Sequence, residues 1–465
     1  MGNIVVLSSA EFLFRFLPAF LAVYWITPRR YRNAVLFGAS ILFYASAEPV
    51  FVFVLLGLTI VNYLGGQAVY AANLTEKRGI HSPGVQRKRK KVLAGMVCLD
   101  AAVLILCKIL ALAVRPGLLP LGLSFYIFKM ISYEADLYRK EIRQRPTFLS
   151  TAAYFTMFLQ ITEGPIMRYE DGFHKRGALR KCSRARFEDG LVYVVIGLGM
   201  KTLLADRVAI LWNELAKIGY DSISTPLAWL GAYAYSMELY YDFWGYSLIA
   251  AGAGMMAGFD FVENFAHPYA ANGVGDFYRR WHATLGSWFR DYIYIPLGGS
   301  RAGNAATLRN LFIVWVLTGL WHGGTLNFVL WGLSLFVLIA LEKFVLRNVM
   351  QRSAVPGHFN VWVLIPLTWV VFAITDLDQL KLYFGRLFPF FGMGQTAVPG
   401  DFVHYLALFW PYLAAGVILT VPGVFRAIMR NRRHPLVVAL LTVMFWGAVY
   451  FSVTTTGNRF LYLNF

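Results

Sequence analysis

The chain has 465 residues, of which 58% are hydrophobic, 17% aromatic and only 15% charged, with 43 Lys and Arg against 25 Asp and Glu for a formal net charge of +18. Soluble domains run nearer half apolar and a quarter charged, so this balance excludes a soluble globular protein and a disordered one alike. Three cysteines, Cys98, Cys107 and Cys182, without a CxxC pair among them make neither a disulfide framework nor a zinc site.

At the N-terminus Met1 to Leu7 carries no basic region, and Glu11 and Arg15 interrupt the apolar run that follows. No cleavable signal is expected, and the first apolar segment should be retained. From there, runs of roughly membrane-spanning length recur near residues 11–27, 33–47, 50–72, 92–114, 121–138, 189–215, 225–257, 306–321, 325–346, 360–376, 403–425 and 435–456. They lack strand alternation and exceed the roughly ten residues of a barrel strand. The expectation is an all-α polytopic membrane protein, one membrane body over 1–465 with about 11–12 transmembrane helices. Its partner is the lipid bilayer and not a nucleic acid, because the Lys and Arg sit in short loops.

The densest basic loops are Lys77-Arg78 with Arg87 to Lys91, then Arg139, Lys140, Arg143 and Arg145, then Arg168 to Arg186, and finally Arg426, Arg430, Arg432 and Arg433. The positive-inside rule makes these cytoplasmic and places both the N-terminus and Phe465 outside. The run 148–167 has basic loops on both sides. It reads as re-entrant, because Glu163, Gly164 and Pro165 would break a helix there and irregular backbone at depth is tolerated where it lines a cavity. The alternative is an ordinary helix with the topology shifted by one. No transporter-type internal repeat or ion-ligand cluster is visible, which weighs against a transporter or channel.

Ionisable groups in apolar segments are costly and therefore functional candidates. Along Asp276 to Gly299, helical spacing puts Phe277, Trp281, Leu285, Trp288 and Tyr292 on one face and Arg279, His282, Gly286 and Arg290 on the other. This predicts an amphipathic helix with a cationic, histidine-bearing face, ended by Pro296. The competing reading is a helix lying at the membrane interface with snorkelling arginines. Further on, His322 stands alone in the apolar stretch from Leu311 to Ala340. Desolvation should keep it neutral and able to take a proton, unless it only hydrogen-bonds between helices. The flanking Gly323 and Gly324 would let another chain or a substrate approach it closely.

The segment from Asp276 to Arg301 followed by Trp321-His322-Gly323 resembles the membrane-bound O-acyltransferase superfamily. Its bacterial alginate-O-acetyltransferase-like branch is the most similar. The same holds for Pro120 to Phe128 with Ser132-Tyr133 and Asp136 to Arg139, for Gly164 to Tyr169, for Tyr241 to Ser247 and for Asn264 to Tyr269. Two positions depart from the pattern of that branch. Leu248 stands where an Asp is usual, as in the teichoic-acid D-alanylation subunits, and Glu163 stands where a small residue is usual.

The resemblance implies a helical bundle with re-entrant and interfacial helices around a central funnel. N-terminal helices would occupy 1–115, a core with both histidines 116–346, and C-terminal helices with the FLYLNF tail 347–465. It makes His322 the catalytic histidine and His282 the second family histidine. Chemistry supports the division, since acyl transfer needs a general base at the attacking hydroxyl. His282, with Arg279, Arg280, Trp281, Arg290 and Asp291, would position a donor near the cytoplasmic mouth, while Trp321, Asp242, Tyr246 and Glu163 would belong to the funnel. The terminal Phe460-Leu-Tyr462-Leu-Asn-Phe465 resembles an aromatic hexapeptide whose tyrosine is proposed to carry the acyl group; the competing reading of Tyr462 is an aromatic interface anchor.

The activity implied is O-acetylation of a cell-surface polysaccharide of alginate, cellulose or peptidoglycan type from a cytoplasmic thioester, acetyl-CoA or an acyl-carrier, with no bound metal or redox cofactor. A D-alanyl transfer subunit for teichoic acid is the alternative. Location in a bacterial inner or plasma membrane and a secreted partner of the SGNH-hydrolase type are also implied. The longest outer loop, near 377–402, is too short to bind a glycan.

Overall fold

Each apolar run seen in the sequence meets a helix in the computed structural model, which describes residues 6–77, 83–173, 183–391 and 399–454; no strand occurs among them. In chain order the α-helices are α1 (Leu17–Ile26), α2 (Arg32–Ala47), α3 (Val52–Lys77), α4 (Pro83–Ala113), α5 (Leu123–Tyr138), α6 (Phe148–Thr156), α7 (Phe158–Ile161), α8 (Tyr169–Gly172), α9 (Arg184–Gly199), α10 (Asp206–Ile218) and α11 (Thr225–Met256). They continue as α12 (Val274–Arg280), α13 (Ala283–Phe289), α14 (Asn304–His322), α15 (Leu326–Ala340), α16 (Arg347–Arg352), α17 (Val355–Phe359), α18 (Ile365–Ala373), α19 (Leu377–Leu387), α20 (Asp401–Thr420), α21 (Pro422–Arg430) and α22 (Pro435–Thr454).

The protein is a multi-pass, all-α membrane protein. Among the described residues six helical stretches are long and apolar enough to cross a bilayer: Val52–Glu76, Pro83–Ala113, Leu326–Val345, Val355–Ala373, Asp401–Thr420 and Pro435–Thr454. Of the other apolar runs, those at 225–257 and 306–321 are the continuous helices α11 and α14. The run at 121–138 becomes the 16-residue α5, and that at 189–215 is interrupted by a π-helical turn at Met200–Ala205. The 148–167 run has the form expected of a re-entrant segment. Helices α6 and α7 hold nine and four residues, too short to span a core of about 30 Å at about 1.5 Å per residue. Met157 (φ −47°, ψ 110°) breaks the helix between them, and Thr162 and Glu163 beyond are buried non-helical backbone.

The chain divides into two compact units, Met1–Val194 with Tyr246–Glu263, and Val195–Gly245 with Asn264–Phe465. In the first, α3, α4 and α5 pack together around a polar seam where the Asn62 amide donates to Asp100 Oδ1 (2.9 Å) and to the Leu58 carbonyl (3.1 Å). In the second, α14 and α15 form a tight antiparallel hairpin, and α18 packs on α15. Its core is aromatic: Phe277 stacks on Trp281 (centroids 5.5 Å apart, planes at 16°), Trp281 meets Trp369 (4.9 Å), and Trp369 stacks on Trp331 (5.8 Å, 23°). Such large surfaces supply dispersion and burial in a bilayer, where apolar area alone does not drive helices together.

Candidate active site

A cavity of about 840 Å³ opens within the second unit, and both His282 and His322 line it. Along α14 its wall is Leu311, Val314, Trp315, Thr318 and His322, a stripe at helical spacing. Eleven steps of about 1.5 Å make that wall about 16 Å long, with His322 at one end. Exposed cations, Arg279, Arg290, Lys343 and Arg347, also border the cavity.

His322 is the last residue of α14 and is buried. Its imidazole lies among three rings: Trp321 (4.5 Å), Trp331 (4.9 Å) and Phe372 (5.1 Å). Gly323 follows in extended backbone (φ −176°), and a side chain there would collide with the Phe328 ring. The glycine thus serves packing against α15.

The single amphipathic helix expected over 276–295 is replaced by two short ones, α12 and α13, with Trp281 and His282 between them. The reason is a competing set of backbone bonds from the loop before: Ala266 N–H donates to the Arg280 carbonyl (3.0 Å), and Ala283 N–H to the Asn264 carbonyl (2.9 Å). His282 takes a left-handed conformation (φ 44°, ψ 51°), rare for a residue with a side chain and sustained only where the surroundings fix it. It is buried, not on a solvated cationic face, and sits edge-on to Phe243 (4.7 Å). Its Nδ1 is 3.0 Å from Asn264 Oδ1. Burial pushes its pKa down to about 3, so the ring is neutral at neutral pH.

The π-helical turn Arg290–Tyr294 follows α13, and a second, Leu341–Val345, ends the α15 span. From the latter Glu342 reaches back to α12 and accepts from Val274 N–H (2.6 Å), Gly275 N–H (2.9 Å) and the Asn360 amide (2.9 Å). This carboxylate meets the otherwise unsatisfied first turn of α12 and fixes the helix that bears Arg279.

Of the residues singled out in the sequence, His282, His322, Arg279, Trp281 and Arg290 come together on the cavity wall. Arg280 lies outside it and binds Asp276 Oδ2 (2.8 Å), as Asp291 binds Arg290 (2.7 Å). Burial alone would raise the Asp276 carboxyl, but hydrogen bonds from Arg280 and from Asn272 N–H hold it below its ordinary value. Trp321 touches the site through its ring contact with His322. Asp242 is elsewhere in the same unit, ion-paired with Lys201 (2.9 Å), which also meets Asp206 (2.5 Å). Tyr246 and Glu163 belong to the first unit, where the Tyr246 hydroxyl bonds Thr162 (2.5 Å). Tyr462 lies outside the described residues.

Sequence reasoning missed Glu342, Trp331 and the cations Lys343 and Arg347. Glu342-Lys343 closing an apolar run was the available signal, but it reads equally as an ordinary helix end. Asn264 was visible only as part of a motif.

The model of the membrane-bound O-acyltransferase family matches residues 103–374, a stretch holding both cavity histidines. The chain is 36% identical over 388 residues to a Pseudomonas fluorescens protein named probable alginate O-acetylase AlgI, covering 83% of this chain and 76% of that one. It is 30% identical over 304 residues to the peptidoglycan O-acetyltransferase of Helicobacter pylori (58% and 57% covered). With the teichoic acid D-alanyltransferase of Bacillus subtilis it shares 27% over 237 residues (48% and 59%). A family match over more than half its length, joined to relatives that align along most of it, makes this chain an O-acyltransferase of the membrane-bound O-acyltransferase family, in the branch of the alginate O-acetylases.

Proposed function

We propose that the protein takes an acyl group, in the first place acetyl, from a cytoplasmic thioester and passes it across a bacterial inner or plasma membrane for O-acetylation of a cell-surface polysaccharide. The observation that carries this reading is the cavity that has two histidines on its wall, one of them at the end of a stripe about 16 Å long, with cations at its border. A linear thioester arm, from acetyl-CoA or an acyl-carrier, fits such a shape. Arg279 and Arg290 meet its phosphates, and His322 stands where the acyl carbon is delivered.

The chemistry closes without a metal. As the acceptor oxygen bonds to the acyl carbon, His322 takes the hydroxyl proton; the carbon–sulfur bond breaks, and the proton returns to the departing thiolate. The acceptor is either the glycan, an SGNH-type partner on the outer side, or the Tyr462 phenol. Positive-inside counting places both termini outside, where Tyr462 would meet such a partner.

D-alanyl transfer is the second reading, in keeping with Leu248, but the D-alanyltransferase relative aligns with 48% of the chain against 83% for the alginate O-acetylase relative. Mass spectrometry of surface glycans from a deletion strain, complemented with wild type or with His322→Ala, tests the proposal. Acetyl esters should vanish in the deletion, return with wild type and stay absent with His322→Ala. Unchanged esters in the deletion strain would refute it, and loss of alanyl esters would replace it with the second reading.

A further inference from the structure

The Asn264 side chain bonds both Thr284 and His282. Thr284 N–H, which can only donate, lies 3.3 Å from one atom of the Asn264 amide, and Thr284 Oγ1 lies 2.8 Å from the same atom. An amide nitrogen cannot accept a backbone N–H, so that atom is the oxygen. The same oxygen is 3.0 Å from His282 Nδ1, which must therefore carry the hydrogen. A neutral imidazole protonated on Nδ1 keeps its lone pair on Nε2.

We infer that Asn264 sets the tautomer of His282 and thereby makes Nε2 of that ring a hydrogen-bond acceptor in the cavity, so that Asn264 is a positioning residue for acyl transfer. Both residues are buried, 3% and 4% exposed. The left-handed backbone at His282 is held from the same side, because the Asn264 carbonyl also takes Ala283 N–H. The charged and titratable groups on the surrounding elements include Asp276, Tyr278, Arg279 and Arg280 on α12, Arg290 and Asp291 after α13, Glu238 and Asp242 on α11 with Phe243, Glu342 and Lys343 after α15, His267 in the preceding loop, and His322 on the shared cavity. The polar partner of Nδ1 is the neutral amide.

A neutral acceptor cannot clamp a phosphate, which leaves that task to the arginines. It meets an N–H or O–H instead: an amide of the donor's arm, or the acceptor hydroxyl. The inference depends on the acyl-transfer reading only for what meets Nε2; the tautomer does not depend on it.

Solid-state 15N NMR of histidine-labelled full-length protein in lipid bilayers tests it, with the His282 signal assigned by its loss in His282→Gln. The expected spectrum is an Nδ1-protonated neutral ring at pH 7 and at pH 5, with the tautomers mixed in Asn264→Ala. In transfer assays Asn264→Asp places a carboxylate against Nδ1 and favours the imidazolium, in which Nε2 donates. Its activity should fall on the acid side with a new inflection between pH 5 and 8 and recover as pH rises. Asn264→Ala should raise the donor KM if Nε2 meets the donor's arm, and lower kcat if it meets the hydroxyl. An Nε2-protonated ring in the wild type overturns the inference, as does an Asn264→Asp pH profile parallel to wild type at equal accumulation. An Nδ1-protonated ring in a protein that transfers no acyl group would keep the tautomer and remove both the acyl-transfer reading and the positioning role of Asn264 in it.

Discussion

The imidazole of His322 stands perpendicular to the indole of Trp331, with centroids 4.9 Å apart and planes at 89°. An edge-on indole packs the ring in one orientation while keeping water away from it, which suits a base that must be neutral before it acts. General-base catalysis contributes roughly 10²- to 10⁴-fold. Replacing His322 by Gln, close in volume and incapable of taking the proton, should lower acyl transfer by about that factor with normal accumulation in the membrane. Wild-type turnover by His322→Gln would remove the base assignment.

Burial holds the His282 pKa at about 3, against an ordinary value of 6.5. Above pH 6.5 neither the folded nor the unfolded chain protonates it, so its contribution to stability is complete there. As pH falls below 6.5, the unfolded chain binds a proton that the folded one refuses, and stability drops progressively towards pH 3. Thermal unfolding in nanodiscs should therefore show a lower midpoint at pH 5 than at pH 7. In His282→Gln this pH dependence should be shallower; an equally steep decline would show that His282 is not its source.

Arg279 and Arg290 are 75% and 63% exposed and already paired with Asp276 (3.3 Å) and Asp291 (2.7 Å). Water and these carboxylates screen them, so each contributes at most about 1 kcal/mol to holding an anionic donor. The double change Arg279→Gln with Arg290→Gln should raise the apparent donor KM several-fold to about 30-fold, more at low salt than at high salt, with kcat little altered. A salt-independent KM equal to wild type would take donor binding away from these residues.

Much of this site was legible in the sequence because its chemistry is local. The isolated His322 and the cations Arg279 and Arg290 are visible as departures from apolar periodicity, and motif order linked them to one family. What remained hidden depends on contacts far along the chain. The helical pattern of 276–295 continues through His282 without a break, and only backbone bonds from Asn264 and Ala266 interrupt it. Glu342 reads as a helix-end acid, and its link to Val274 spans 68 positions of sequence. The membrane runs were visible as hydropathy. The π-helical turn that interrupts the run at 189–215 is not something hydropathy registers.

The placement of His322 also rests on the close contact of α14 with α15. At Gly319, one turn before His322, an added Cβ would lie 2.5 Å from the carbonyl oxygen of Phe328 and 3.4 Å from the Cα of Val329. Replacing a helix-interior glycine by alanine ordinarily stabilises, by about 0.5 to 1 kcal/mol. Here the opposing atom is backbone, which cannot rotate away, and forcing it aside costs about 1 to 3 kcal/mol. The clash should therefore win: α15 moves off α14 and takes Trp331 away from the imidazole. A shift of about 1 Å in a catalytic group can cost on the order of 10²-fold in rate. Gly319→Ala is thus expected to lower acyl transfer by tenfold or more and to lower the unfolding midpoint. Gly447→Ala on α22, where no atom lies within 4 Å of the added carbon, should leave activity unchanged and the midpoint equal or higher. If Gly319→Ala instead behaves like Gly447→Ala, the two helices have slack at the crossing, and the orientation of His322 is set by Phe372 and Trp321 without help from the hairpin.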